Sequence, residues 1–507
     1  MSQSKSSDRS RPSPGLTKKL IGVLLVAVVV LLAWLISPFI IIGNPSASFS
    51  NIDEHFRYGS IGGESTDGIP YWLWKALPVV FVDKLPTEQP SKESWGTFGF
   101  IQEADRELPI GFAKSKRSIV ANVLGIDVIT QNCATCHVST LRETPDSDPT
   151  IISTMPGTVV NLQAYIRFLI DAAVDERFTA SQIMPYINEM GANLNPLEKL
   201  VYKFLVIPQT RESLLRERHD LAVMGLQSDY GPGRVDTFNT YKTRRFGFQA
   251  KDLSPEELNG IADFPSIWNQ GPRQNLYLHW DGNNGNADER NRTAALALVA
   301  PSNLNFASLQ RIREWLNEVP PPPYPYAINT ALVEQGKPIF EARCAGCHNV
   351  FDRPGEDTVV PIEEIQTDRG RLDSYTPALA SNQYLIFSDT FFKGEDKRFR
   401  NYRKTNGYVK APLDGIWLRA PYLHNGSVPT MRDLLEKPEN RPTEFYRGYD
   451  VYDPENMGFV STVAEADGDA FFKFDTSLPG NGNGGHDYGT ELSTDDKTAL
   501  IEYLKTL

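Results

Sequence analysis

The sequence predicts a mainly α-helical chain: an N-terminal transmembrane helix followed by two domains with long loop insertions. Three features point there. Residues 20–42 (LIGVLLVAVVVLLAWLISPFIII) carry no charge, the pattern C-x-x-C-H occurs twice 211 residues apart, and a proline run at 320–326 divides the chain. Its 507 residues are 40% hydrophobic and 22% charged, ordinary globular proportions with material for more than one core. The net charge is −12, and residues 1–19 hold five basic residues against Asp8, so the body is more acidic still. That balance excludes a nucleic-acid binder, because phosphate neutralisation takes clustered Lys and Arg. Four cysteines cannot build a disulfide scaffold in a chain of this length.

Residues 1–17, rich in Ser, Pro and charge, read as a disordered cytoplasmic tail. Residues 18–43 read as the anchor: as a helix the uncharged run would be about 34 Å long, enough to cross a bilayer. A cleaved signal peptide is the competing reading, although its apolar core is usually about 7–15 residues. Either way the basic flank stays cytoplasmic and the rest is exported. The expectation is a single-pass protein of a bacterial inner membrane, held by lipid contact of this helix, with its bulk in the periplasm.

Residues 44–319 form the first domain, of which the part ahead of the first motif fits no pattern. Its closing helix is 308–319 (SLQRIREWLNEV), with Leu309, Ile312, Leu316 and Val319 on one face. Residues 320–329 are a linker, since the proline run cannot be helix and should be extended. Residues 330–507 form the second domain. A helix precedes its motif at 333–344, where Pro338 should bend it. Another closes it at 493–507, with Ser493 as N-cap and a stripe of Leu500, Ile501, Leu504 and Leu507. The Gly- and Asn-rich stretches between motif and closing helix read as ordered loops, not strands.

All four cysteines fall in Cys133-Ala-Thr-Cys136-His137 and Cys344-Ala-Gly-Cys347-His348. This is the attachment pattern of haem c. Residues i and i+3 share one helical face, so two sulfurs reach one edge of the macrocycle, and the adjacent His becomes the proximal iron ligand. A zinc half-site or a redox dithiol also uses C-x-x-C, but a zinc ribbon wants its pairs close together and neither needs the following His. The expected cofactors are therefore two covalently bound haems c.

Gly336, Phe340 and Tyr503 match the packing residues of the first and last helices of class I cytochromes c, so both domains are expected to be of that kind. The two-motif layout, with Arg419-Ala-Pro-Tyr-Leu-His-Asn-Gly-Ser-Val-Pro-Thr430, resembles the di-haem cytochrome c peroxidase superfamily. Leu278-His-Trp-Asp-Gly-Asn-Asn284, Phe474-Asp-Thr-Ser-Leu-Pro-Gly480 and Gly485-His-Asp-Tyr-Gly489 resemble its di-haem rubber oxygenase branch. The resemblance implies that the N-terminal haem, on His137, reacts with peroxide or O₂ while the C-terminal haem relays electrons. It also implies an aromatic relay between the haems, for which Trp268 and Trp280 are the candidates, their ordinary role being packing.

Five further histidines bear on which iron keeps an open face, of which His279 falls between the two motifs beside Trp280 and has an ordinary role there. His55 should lie near the membrane surface, and His219 on a solvated helix face. His486, between glycines, matches a segment that supplies the sixth ligand of the second haem in the oxygenase branch; Met431, Met457 and Tyr446 are the alternatives. His424 is expected beside that haem without ligating it. The oxygen-rich stretch Asp281–Glu289 is a candidate Ca²⁺ loop or simply a set of turns, and it departs from the EF-hand pattern. The function expected is a di-haem oxidoreductase of peroxidase or oxygenase type with a redox partner protein. The alternatives are an electron carrier with both irons doubly ligated and, from a non-redox class, a zinc- or disulfide-stapled surface protein.

Overall fold

The computed structural model describes residues 42–44, 49–86, 95–119, 124–274, 276–352, 358–386 and 398–507. The architecture is mixed rather than mainly α: helices alternate with seven small sheets among the described residues. No helix among the described residues is long and apolar enough to cross a membrane. The transmembrane helix and the single-pass inner-membrane location are therefore withdrawn. Of the run 20–42, only Ile42 is described, and it belongs to a β-strand, Ile42–Asn44, paired antiparallel with Phe112–Ile119. Residues 20–41 and the tail 1–17 lie outside the described residues.

The unassigned stretch ahead of the first motif turns out to hold the largest sheet. Its strands run Ile42–Asn44, Phe112–Ile119, Leu124–Gln131, Ile69–Pro70 in spatial order, all antiparallel. The local cause is the β-branched run Ile126-Asp-Val-Ile-Thr130, in which Ile126, Val128 and Thr130 are buried while Asp127 between them is less so. Against this sheet pack the helices Tyr71–Val80, Leu162–Val174, Ala180–Glu189 and Ile207–Asp220. Trp74 stacks on Trp95 there, with ring centroids 4.4 Å apart. These helices, drawn from both sides of the first motif, thus form a layer with its own core.

Both halves keep one device, in which a helix ahead of the motif packs on the helix that closes the half. In the first, Ile52–Tyr58 meets Phe306–Glu318, with the Phe56 and Trp315 rings 5.1 Å apart. Asn305 caps the closing helix by accepting from Ser308 N, and Ile312 and Leu316 are buried, as the periodicity requires. In the second half, Thr330–Arg343 crosses Thr494–Leu504, where Ser493 Oγ accepts from Asp496 N. Gly336 lies against the Ala499 carbonyl and Phe340 stands 5.1 Å from Tyr503. Pro338 does not end its helix.

Residues 320–326 are extended, yet they do not form a free linker. Trp417 Nε1 donates to Pro322 O at 3.0 Å, and Tyr326 stacks on Tyr452. The halves also interlock away from the strap: Arg142 meets Asp450 at 2.6 Å and Arg447 meets Asp263 at 2.9 Å. Burying these charges costs less because each has a partner and further hydrogen bonds.

Candidate functional site

The first motif is set by buried polar contacts. Asn132 Oδ1 accepts from Ala134 N, and its Nδ2 donates to the carbonyls of Gly59 and Arg57. Thr135 Oγ1 donates to Gly111 O at 2.9 Å, so the one-turn helix Ala134–His137 hangs from the loops that flank the large sheet. The second motif continues directly from Thr330–Arg343: Cys344 N donates to Phe340 O and Ala345–His348 forms another single turn.

Both motif histidines are oriented the same way. His137 Nδ1 lies 2.9 Å from Pro265 O, and His348 Nδ1 lies 2.8 Å from Ala411 O. A carbonyl can only accept, so Nδ1 carries the proton in each and Nε2 is left with its lone pair. This fixes the tautomer that binds a metal. Burial pushes His137 down to about 4 and His348 downward, keeping both rings neutral. None of the four cysteines is in a disulfide, and burial pushes the Cys133, Cys136 and Cys344 thiols upward. Among the described residues no group of three or more His, Cys, Asp or Glu could hold a metal ion.

The sixth-ligand candidates occupy different surroundings. The His486 ring centroid is 6.3 Å from that of His348. Two imidazoles bound at about 2 Å on opposite sides of one iron place their centroids about 6 Å apart, so this pair fits a haem between them. Gly485 makes the approach possible: with φ +73 it presses on Ile365 and Gln366, where a Cβ would collide with backbone, and His486 N then donates to Ile365 O at 2.9 Å. His486 itself sits at φ +53 and its Nδ1 is buried without a partner. Tyr446 instead pairs with Lys473 in a two-stranded sheet, and Met431 and Met457 are buried in the core around Trp417. Beside the His137 ring stands Phe264, centroids 6.4 Å apart, a side chain with no ligating atom.

Between the motifs, Trp280 joins the two carbonyl clamps. Its Nε1 donates to Asp263 O at 3.1 Å, two residues before Pro265. Its own carbonyl accepts from Val409 N at 2.9 Å, two residues before Ala411. Trp268 is fully buried, with Nε1 donating to Asp414 O and Arg419 over its ring. His424 stacks on Tyr408 with centroids 4.1 Å apart, and its Nε2 lies 3.0 Å from the Tyr408 hydroxyl. Its carbonyl accepts from Asp263 N, so it braces the same junction.

Other expectations change. His55 is buried against the closing helix, Nε2 2.8 Å from Ser308 Oγ, and does not lie at a surface. His219 is exposed beside Asp220, a solvated face as read. The carboxylates of the oxygen-rich stretch are already engaged: Asp281 by Arg371 at 3.1 Å, Asp288 by Arg292, and Glu289 by the amides of Arg400 and Asn401. That stretch shows no cage for Ca²⁺. Missed by sequence reasoning were Arg290, whose charge helps depress both His137 and His279, and the carbonyls of Pro265 and Ala411. A backbone oxygen leaves no side-chain signal in a sequence.

Residues 407–447 match the family described as RoxA-like, cytochrome c-like. Over 289 residues the chain is 31% identical to the uncharacterized protein y4iM of Sinorhizobium fredii, covering 48% of this chain and 64% of that one. It thus spans a little under two thirds of that relative's length. It is also 26% identical over 559 aligned positions to the uncharacterized protein y4iJ of the same organism, covering 88% of this chain and 90% of the other. The matched segment includes Ala411, whose carbonyl holds His348. It supports a c-type cytochrome of the RoxA-like kind and implies that the chain binds haem c.

Proposed function

We propose that the protein carries two haems c, one on each C-x-x-C-H motif, and is an oxidoreductase whose two sites differ in role. The observation that carries this reading is the asymmetry of the rings. His348 faces His486 at a bis-imidazole separation, whereas among the described residues the ring contact of His137 is with Phe264 and no second imidazole pairs with it. A doubly ligated iron moves electrons; one with a free face admits peroxide or O₂. When bound, the cofactor supplies the oxygen and one-electron chemistry. The chain's part is to hold Nε2 of His137 and His348 deprotonated through the Pro265 and Ala411 carbonyls, to exclude water by burial, and to connect the two sites. Electrons enter or leave through a redox partner protein at the His348 site.

Replacing Cys133 and Cys136 together by Ser tests the attachment. Intact mass should fall by one macrocycle relative to the wild-type chain, and the same change at Cys344 and Cys347 should remove the other. A wild-type mass equal to the bare polypeptide ends the reading. EPR of the oxidised protein separates the roles, with one high-spin and one low-spin signal expected. Two low-spin signals in every redox state would leave only an electron carrier.

In this reading Trp280 is the relay, because its indole bonds to Asp263 O and its carbonyl to Val409 N, each two residues from a clamping carbonyl. A Trp280→Phe variant should slow electron transfer between the haems severalfold in a rapid-reduction experiment, with both optical spectra unchanged. It should also lose about 1–3 kcal/mol of stability from the orphaned Asp263 carbonyl. An unaltered transfer rate removes Trp280 from the path.

A further inference from the structure

The two motifs differ in what surrounds their middle residues. Ala134 and Thr135 of the first are 2% and 3% exposed, so that turn is sealed inside the first half. Gly346 of the second is exposed, and a Cβ built on it would meet nothing within 4 Å. Cys344, Ala345 and Cys347 around it are only half-buried. The edge that carries the two sulfurs therefore reaches solvent in the second half and not in the first.

Two large aromatic side chains stand open beside that edge. Phe351, three residues after His348, is 40% exposed. Tyr488 is 37% exposed, its ring standing edge-on to that of His486 with centroids 5.3 Å apart. Burial raises the Tyr488 phenol, and Glu364, Cys347 and Asp487 add to the rise, so these groups stand around it. Single apolar side chains on a surface are ordinary, but two aromatic ones at the mouth of one site suit the centre of an interface.

The rim is acidic. Residues 486–496 hold Asp487, Glu491, Asp495 and Asp496 and no Lys or Arg, and residues 362–365 add Glu363 and Glu364. All six are exposed. The neighbouring cations do not cancel them: Arg343 is tied to Glu491 at 3.2 Å, and the Arg441 side chain is buried beneath Asp487. Lys337 is offset by Glu341 one helical turn on. A rim of one sign around an apolar centre steers in and selects a partner of the opposite sign.

We propose that this face docks a small soluble electron-transfer protein whose own cofactor edge is ringed by lysines. Gly346, Phe351 and Tyr488 form the centre of the contact, and Glu364, Asp487 and Glu491 meet the cations. The proposal rests on the haem reading and supplies the class of its redox partner. In each encounter one electron passes from the partner's reduced cofactor to the oxidised haem on His348, and no atom is exchanged.

The test uses the full-length haem-loaded protein and, as probe, a small, strongly basic c-type cytochrome, with the same cytochrome acetylated at its lysines as control. With both proteins oxidised, isothermal titration calorimetry should show one saturable site that weakens at least tenfold between about 20 and 200 mM salt. The acetylated probe should not bind. A Glu364→Lys/Glu491→Lys variant should bind about tenfold more weakly, and Phe351→Ser severalfold more weakly at every salt concentration. Glu212→Lys, an exposed change on the helix Ile207–Asp220 of the first half, should leave binding as in wild type. Stopped-flow reduction of the His348 site by the reduced probe should slow in the same order. Intact mass reports separately on the haem reading, and a bare chain mass ends both. With both haems present, the docking face is overturned by any of four results: no saturable binding, binding of the acetylated probe, no effect of Glu364→Lys/Glu491→Lys, or an equal effect of Glu212→Lys.

Discussion

A His486→Gly variant should turn the C-terminal site from low-spin to high-spin while leaving the N-terminal signal untouched. The substitution is chosen for the backbone: His486 lies at φ +53, which Gly adopts freely and a bulky residue does not. What is removed is one imidazole from a pair whose centroids are 6.3 Å apart, leaving His348 held by Ala411 O as before. The change should be complete, not graded, because a side chain without a ligating atom cannot substitute in part. Added free imidazole should restore the low-spin spectrum by entering the emptied place. A spectrum identical to wild type would mean that the sixth ligand lies elsewhere and that the His348–His486 approach is only packing. Loss of the haem itself would be seen separately in the intact mass.

The second large effect concerns stability. Gly336→Val should destabilise the protein by about 3 kcal/mol or more, the upper range for overpacking a close contact. A Cβ at position 336 would press into the Ala499 carbonyl oxygen and stand 2.9 Å from Tyr503 Cβ. Both neighbours are fixed, one as backbone and the other at the root of a side chain, so neither can rotate away. The helices Thr330–Arg343 and Thr494–Leu504 must then separate, and Phe340 loses Tyr503. Thermal unfolding followed by circular dichroism measures this. A midpoint within a degree or two of wild type would show that the crossing tolerates a larger separation. Because Cys344 follows directly on Thr330–Arg343, haem content should fall together with the midpoint.

What was legible in the sequence follows its local periodicities. The helix 308–319 was read from four apolar positions on one face, and Ser493 from its place before two acidic residues. The sheet of Phe112–Ile119 and Leu124–Gln131 was missed although Ile126-Asp-Val-Ile-Thr130 is β-branched in four of five positions. The stretch ahead of the first motif fits no single pattern as a whole, and this short strand signal lies inside it. Residues 20–42 illustrate a different error: an uncharged run satisfies a length criterion without saying what its residues pair with, and Ile42 pairs with Ser118.

The sequence alone determined the chemistry of attachment, since Cys, Cys and His within five consecutive residues need only one helical turn to face a single macrocycle. It also determined where each half closes, because an amphipathic stripe is written in its own residues. His486 stands out in the sequence by its segment; only the tertiary structure decided how closely it meets His348, that Pro265 O orients His137 across 128 residues, and that Trp280 stands between the clamps. Those contacts join segments far apart in the chain, through backbone oxygens and a left-handed turn at Gly485. Nothing in the local order of side chains encodes them; they exist only once the cores have packed.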